Sequence, residues 1–157
     1  MKTKGTIAIA SDHAGFELKQ ELISFLKEEG YEVVDHGAWK HNLEDDYPDF
    51  VKLVARDVSR HADTLRGIVL GGSGTGEVIV CNRFPNVRAV SYYGGNVEIV
   101  SLSREHNDAN ILSLGARFVG LPEAKIVMQQ WLNTPFSEDK RHVRRIEKID
   151  KLFEDFL

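Results

Sequence analysis

Short runs rich in apolar and β-branched residues alternate along this chain with longer stretches whose apolar residues recur every three or four positions. Thr6 to Ser11, Glu32 to His36, Gly67 to Leu70, Val87 to Tyr92 and Asn110 to Leu114 read as strands. After the first of these, Leu18, Leu22, Phe25 and Leu26 keep helical spacing, and Gly30 stands where a C-terminal glycine cap belongs. Further helices are predicted over Tyr47 to Arg60, after Gly76, over about Asn96 to Glu105 and Pro122 to Leu132, and from about Lys140. Such alternation of strand and helix implies a parallel sheet. The expected fold is therefore α/β: a three-layer αβα sandwich around a five-stranded parallel, Rossmann-like sheet, followed by a C-terminal helix. With no repeats and no low-complexity linker, residues 1–157 are expected to form one domain. The last helix carries Ile146, Ile149, Phe153 and Phe156 on one stripe, which must cover its own sheet or another subunit. Its own domain is the commoner answer.

Composition narrows the class. At 157 residues and 42% apolar, the chain suits a globular domain with a substantial core. Its formal charge of -4 argues against general nucleic-acid binding, and the one basic tract runs from Lys140 to Arg145. No apolar run approaches membrane-spanning length, so no membrane partner is expected. The opening MKTKGTIAIAS turns at once into a strand, which speaks against a signal peptide. A lone cysteine, Cys81, excludes an internal disulfide framework and fits a reducing cytoplasm, the expected location.

The segment Gly67 to Val78, GIVLGGSGTGEV, ends an apolar strand in the glycine loop Gly71, Gly72, Ser73, Gly74, Thr75, Gly76 and then offers Glu77. It is almost a P-loop, in which glycines expose backbone N–H groups to phosphate and a lysine balances the charge. Glutamate stands in place of that lysine. A carboxylate beside amide donors repels a nucleotide's phosphates but can take a proton from a neutral carbon. The same donors then stabilise the oxyanion that forms, at roughly 3 kcal/mol each in known enzymes. The plainer alternative is a tight strand-to-helix turn with a first-turn glutamate favoured by the helix dipole. The loop alone leaves both readings open.

Ligands of parallel α/β sheets bind beyond the carboxyl ends of the strands, so chemically loaded loops at that edge are the next candidates. The first strand delivers Ser11, Asp12 and His13, and the fifth delivers Arg117. Asp12 also suits a helix N-cap, whereas His13 at a helix start opposes the dipole. Tyr47, in DDYPDF, either packs beside a turn or offers its hydroxyl to a ligand. SREHNDAN, Ser103 to Asn110, concentrates polar groups in a helix-to-strand connection. That connection lies at the sheet edge opposite the glycine loop, so either a catalytic His106 serves a neighbouring subunit's site or the boundary expected there is misplaced. On the last helix, Arg141, Arg144 and Arg145 share one face and sit where the dipole disfavours cations. With His142 they suit a phosphate monoester, the plainer alternative being a solvated charged face. The six histidines lack zinc-site spacing, and no metal is expected. Cys81, one turn beyond Glu77, reads as a packing residue.

Taken together, ASDHAG, DYPDF, GGSGTGE, SREHNDAN, GAR and RHVRR resemble the type B ribose-5-phosphate isomerase family in order and spacing, over essentially the whole chain. Galactose-6-phosphate isomerase subunits and an allose-6-phosphate-active branch are similar. The resemblance implies interconversion of D-ribose 5-phosphate and D-ribulose 5-phosphate through a cis-enediolate, without metal or cofactor. It implies a homodimer with active sites shared between subunits, or a tetramer of such dimers. In one large branch of the family the base is a cysteine at the position of Gly71. This chain resembles the other branch, with Glu77 as the base. Carried over motif by motif, His106 corresponds to the acid-base group that opens the furanose ring, with Asn107 beside it on substrate oxygens. Asp12 and His13 match substrate contacts, and Gly72, Ser73, Gly74, Thr75 and Gly76 match the anion hole. Arg117, Arg141 and Arg145 match the phosphate-binding arginines, while His142 and Tyr47 fall in motifs that line the site. Allose-6-phosphate or galactose-6-phosphate isomerisation is the alternative within the family, and a non-catalytic phosphate- or nucleotide-binding module the alternative outside it.

Overall fold

The apolar runs become five strands, β1 (Thr6–Ser11), β2 (Glu32–Asp35), β3 (Leu65–Gly71), β4 (Ala89–Tyr92) and β5 (Ile111–Gly115). The computed structural model describes residues 3–152 and residue 154. All strand pairs are parallel, in the order β2-β1-β3-β5-β4. Central strands β1, β3 and β5 are covered on both faces, which is why their sequences are nearly continuous in apolar residues. Edge strand β2 alternates exposed and half-buried positions instead.

Among the described residues six α-helices form: α1 (Phe16–Glu28), α2 (Tyr47–Arg60), α3 (Thr75–Cys81), α4 (Glu98–Asn107), α5 (Leu121–Asn133) and α6 (Lys140–Asp150). On one face Ile7, Ile9, Ile68, Leu70, Leu112 and Leu114 pack against Leu22 and Leu26 of α1, Val100 of α4, and Val127, Met128 and Trp131 of α5. On the other, Ala8, Ala10, Val69 and Ile111 meet Val51, Val54, Ala55 and Val58 of α2 and Cys81 of α3. These are the three layers expected from the alternation. Because β2 and β3 flank β1 on opposite sides, the chain changes direction between β1 and β3, and a crevice opens beyond their carboxyl ends.

Several boundaries move for local reasons. β4 begins two residues later than expected, because the Val87 amide closes a turn onto the Phe84 carbonyl and the Arg88 amide donates to the Asn110 side chain. β3 starts earlier, at Leu65, in register with Thr6. α4 is displaced by two residues: Asn96 caps it through a side-chain bond to the Glu98 amide, and Asp108, at φ +45°, ends it in a left-handed conformation. His106 and Asn107 are therefore in its last helical turn, not in a connecting loop. Helix α6 packs on α4 of the same chain, with Ile146 half-buried and Ile149 exposed. Phe153 and Phe156 lie outside the described residues.

Candidate active site

Register places the glycine loop. β3 and β5 run in step from Gly67 opposite Ile111 to Gly71 opposite Gly115, so the loops after them leave the same edge side by side. The Arg117 amide donates to the Gly72 carbonyl, and a β-carbon on Gly72 would lie 3.2 Å from the Arg117 guanidinium. Gly74 turns the chain at φ +79° into α3, and the Ser113 hydroxyl donates to its carbonyl at 2.8 Å. The first-turn amides of α3 have no intrahelical acceptor. One of them, Thr75 N–H, is met by Ser73 Oγ at 3.3 Å, which leaves the Ser73 hydroxyl proton free to donate.

Glu77 stands in that first turn and is buried. Its carboxylate occupies the space above Gly71, where any β-carbon would overlap it. A side chain at position 71 and the Glu77 carboxylate in this rotamer therefore exclude one another. Burial, then the charge of Asp12, raise the Glu77 pKa, while its own backbone amide opposes the rise. Tyr47, the first residue of α2, leans over the other side of the loop: a β-carbon on Gly76 would meet the phenol oxygen at 2.7 Å.

Asp12 caps the short 3-10 turn His13–Gly15, with Oδ1 accepting from Ala14 and Gly15 at 2.9 and 3.2 Å. It is thus a cap and also a neighbour of Glu77. His13 finds the acidic partner that its position demanded, since Nδ1 lies 2.6 Å from Asp45 Oδ1. The sequence reading missed Asp45. Its only signal there was an acidic run just ahead of Tyr47. Cys81 is fully buried in the core, and burial with the Glu77 charge pushes its thiol up to about 12, consistent with packing and not with a nucleophile.

The remaining candidates gather elsewhere. His106 and Asn107 border a cavity of about 300 Å³ with Val90, Ile99 and Leu102. The His106 ring stacks on that of His142, centroids 4.4 Å apart and planes 14° apart. His142 is buried, with its ring against that of His106. Burial, then His106, then Arg141 lower the His142 pKa. Asp139 caps α6 by accepting from the Arg141 amide at 3.0 Å and so offsets part of the basic start. Arg141 and Arg145 are exposed.

The candidates form two groups. Asp12, His13, Tyr47, the glycine loop, Glu77 and Arg117 share the carboxyl edge of the sheet. His106 and Asn107 end α4 where β5 begins, beside Gly67, four residues before Gly71. At about 3.3 Å per residue, that is about 13 Å along the sheet from the glycine loop.

The Ribose/Galactose Isomerase family pattern matches residues 7–149. This chain belongs to that family. It is 41% identical to ribose-5-phosphate isomerase B of Mycolicibacterium paratuberculosis over 141 residues, 90% of this chain and 87% of the relative. It is 40% identical to the Escherichia coli ribose-5-phosphate isomerase B over 143 residues, 91% and 93% of the two chains. Its fold matches the Mycoplasma genitalium enzyme solved with bound ribulose-5-phosphate at TM-score 0.92 and 35% identity, covering 98% of this chain and 99% of that one. The Clostridium thermocellum ribose-5-phosphate isomerase B matches at TM-score 0.88 and 43% identity, covering 97% and 99%. Among the described residues, no helix is long and apolar enough to cross a membrane.

Proposed function

We propose that this chain interconverts D-ribose 5-phosphate and D-ribulose 5-phosphate by proton transfer through a cis-enediolate, and that residues 1–157 act as one catalytic unit. The observation that carries this reading is the Glu77 carboxylate, buried over Gly71 at the mouth of an amide-lined loop and raised in pKa. A base of this kind removes the C2 proton, the loop amides and the Ser73 hydroxyl hold the oxyanion, and Glu77 returns the proton at C1. Arg117, Arg141 and Arg145 take the phosphate, remote from the reacting carbons, so that phosphate binding positions the sugar. Asp12, His13 and Tyr47 contact the sugar. His106 opens the furanose ring, steadied by His142, with Asn107 on substrate oxygens.

No single subunit brings the two groups of residues together, so the reading includes a homodimer. His106, Asn107, Arg141 and Arg145 of one copy complete the glycine-loop site of the other. Exposed Ile99, next to His106, suits an interface core. The setting of this reaction is cytoplasmic sugar-phosphate metabolism.

Steady-state kinetics on a panel of aldose phosphates test the substrate. Ribose 5-phosphate is expected to show the highest kcat/KM, with allose 6-phosphate and galactose 6-phosphate well below it. A hexose phosphate turned over faster than ribose 5-phosphate would replace the substrate and keep the chemistry.

A further inference from the structure

Asp45 lies near the end of the long segment between β2 and α2, and only 7% of its side chain is exposed. One oxygen, Oδ1, accepts from both the His13 backbone N–H at 3.0 Å and His13 Nδ1 at 2.6 Å. A carboxylate can only accept, so Nδ1 carries the proton and Nε2 is left for another partner. The second oxygen, Oδ2, is buried with no hydrogen-bond partner.

Stability does not account for this choice. A buried carboxylate with one oxygen unbonded costs free energy that an apolar residue would not incur. The segment is anchored without it. At its start, Ser11 and Ala38 exchange backbone bonds with Gly37 and Ser11 at 2.7 Å each, and the buried Lys19 ammonium bridges Asp35 and the Ala38 carbonyl. At its end, Tyr47 and Pro48 begin α2. Between these anchors a cavity of about 360 Å³, lined by Ala38, Trp39, Asn42 and Phe50, lies on one side of Asp45. His13 is its hydrogen-bonded partner.

We propose that Asp45 is a positioning residue for His13: it grips backbone and ring together, fixes the Nδ1–H tautomer and aims Nε2 at a substrate oxygen. This rests on the reading of His13 as a substrate contact. Carboxylates behind metal-bound imidazoles orient the ring in the same way, and their loss there typically costs 10- to 100-fold. The effect belongs in KM or kcat only through His13, so the two residues act as one unit.

The test combines a spectroscopic signature with a double-mutant cycle on the full chain. Nitrogen-15 NMR should assign the His13 proton to Nδ1 in the parent, and Asp45→Ala should abolish that signature. Asp45→Asn, which keeps the shape and an accepting oxygen, should retain part of it if Asp45→Ala folds poorly. Kinetically, Asp45→Ala should lower kcat/KM by about tenfold or more. Combined with His13→Asn it should cost no more than His13→Asn alone. Multiplying losses in the double variant, or an unchanged Nδ1–H signal in both Asp45 variants, would overturn the proposal. If the parent itself shows no isomerase turnover, the functional reading fails instead, and the NMR signal alone still decides the pairing.

Discussion

In the proposed mechanism, Glu77 ties catalysis and stability to one ionisation. Its folded pKa is raised by burial and by Asp12, so between the ordinary carboxylate value and the raised one the folded state binds more protons than the unfolded state. Stability therefore falls as pH rises through that window and stays lower above it. Activity runs the other way, since the base must be ionised, and kcat/KM is expected to lose activity as pH falls through the raised pKa. Glu77→Gln separates the two effects. It should cut turnover by roughly 10²- to 10⁴-fold, the usual share of a general base. Its melting temperature should exceed the parent's at pH 8, and the difference should vanish below the window. Gly71→Ala should reach the same loss by sterics, because its methyl takes the carboxylate's place. Near-normal turnover in Glu77→Gln would sink the mechanism. The glutamate at the glycine loop and the packing of Cys81 were legible in the sequence, because glutamate in a lysine's place and a cysteine one turn later are local signals. Pairings were not. Asp45 lies 32 residues from His13, and the His142–His106 stack joins two helices, contacts that only the fold creates.

At the scale of elements, the last turn of α4 shows how a boundary carries function. Asp108 ends the helix at φ +45° and receives Arg104 Nη1 at 2.7 Å and Arg88 Nη2 at 3.1 Å. Arg66 is close enough that Arg104 and Arg88 both lower its pKa, after burial. One carboxylate thus offsets several guanidinium groups at the turn that fixes His106 and Asn107. Asp108→Ala keeps a β-carbon in the left-handed conformation without aspartate's tolerance of it and strands those cations, so it should destabilise the fold by about 1–3 kcal/mol. Asp108→Gly removes the backbone part of that cost and should recover some of the loss. Urea unfolding of the two variants measures the split, and equal midpoints would show that the backbone contributes nothing. Every strand and helix of the sheet was legible from periodicity, and α2 forms over the span expected for it. The ends of α4 and β4 were not, because the side-chain caps of Asn96 and Asn110 set them.

For the whole molecule, topology is the strongest argument for a shared site. A helix that leads into β5 must end at the amino edge of the sheet, while the loop after β3 must leave from the carboxyl edge. No shift of a boundary by two residues closes that gap, so the conflict visible in the sequence survives in the structure. Charge shows the same division: Glu77 feels Asp12, whereas His142 feels His106, Arg141, Asp139 and Arg145. If a second copy supplies the missing half, lesions on the two halves should complement. A hybrid of one Glu77→Gln chain and one His106→Ala chain holds one doubly damaged site and one intact site. Random pairing of equal amounts makes half the dimers hybrid, so roughly a quarter of parental activity should return. Each variant alone should stay inactive at the same total concentration. Recovery should track the rate at which subunits exchange, followed by mass spectrometry of differently tagged chains. Full exchange without recovery would show that each subunit works by itself, and would force Glu77 and His106 into separate roles.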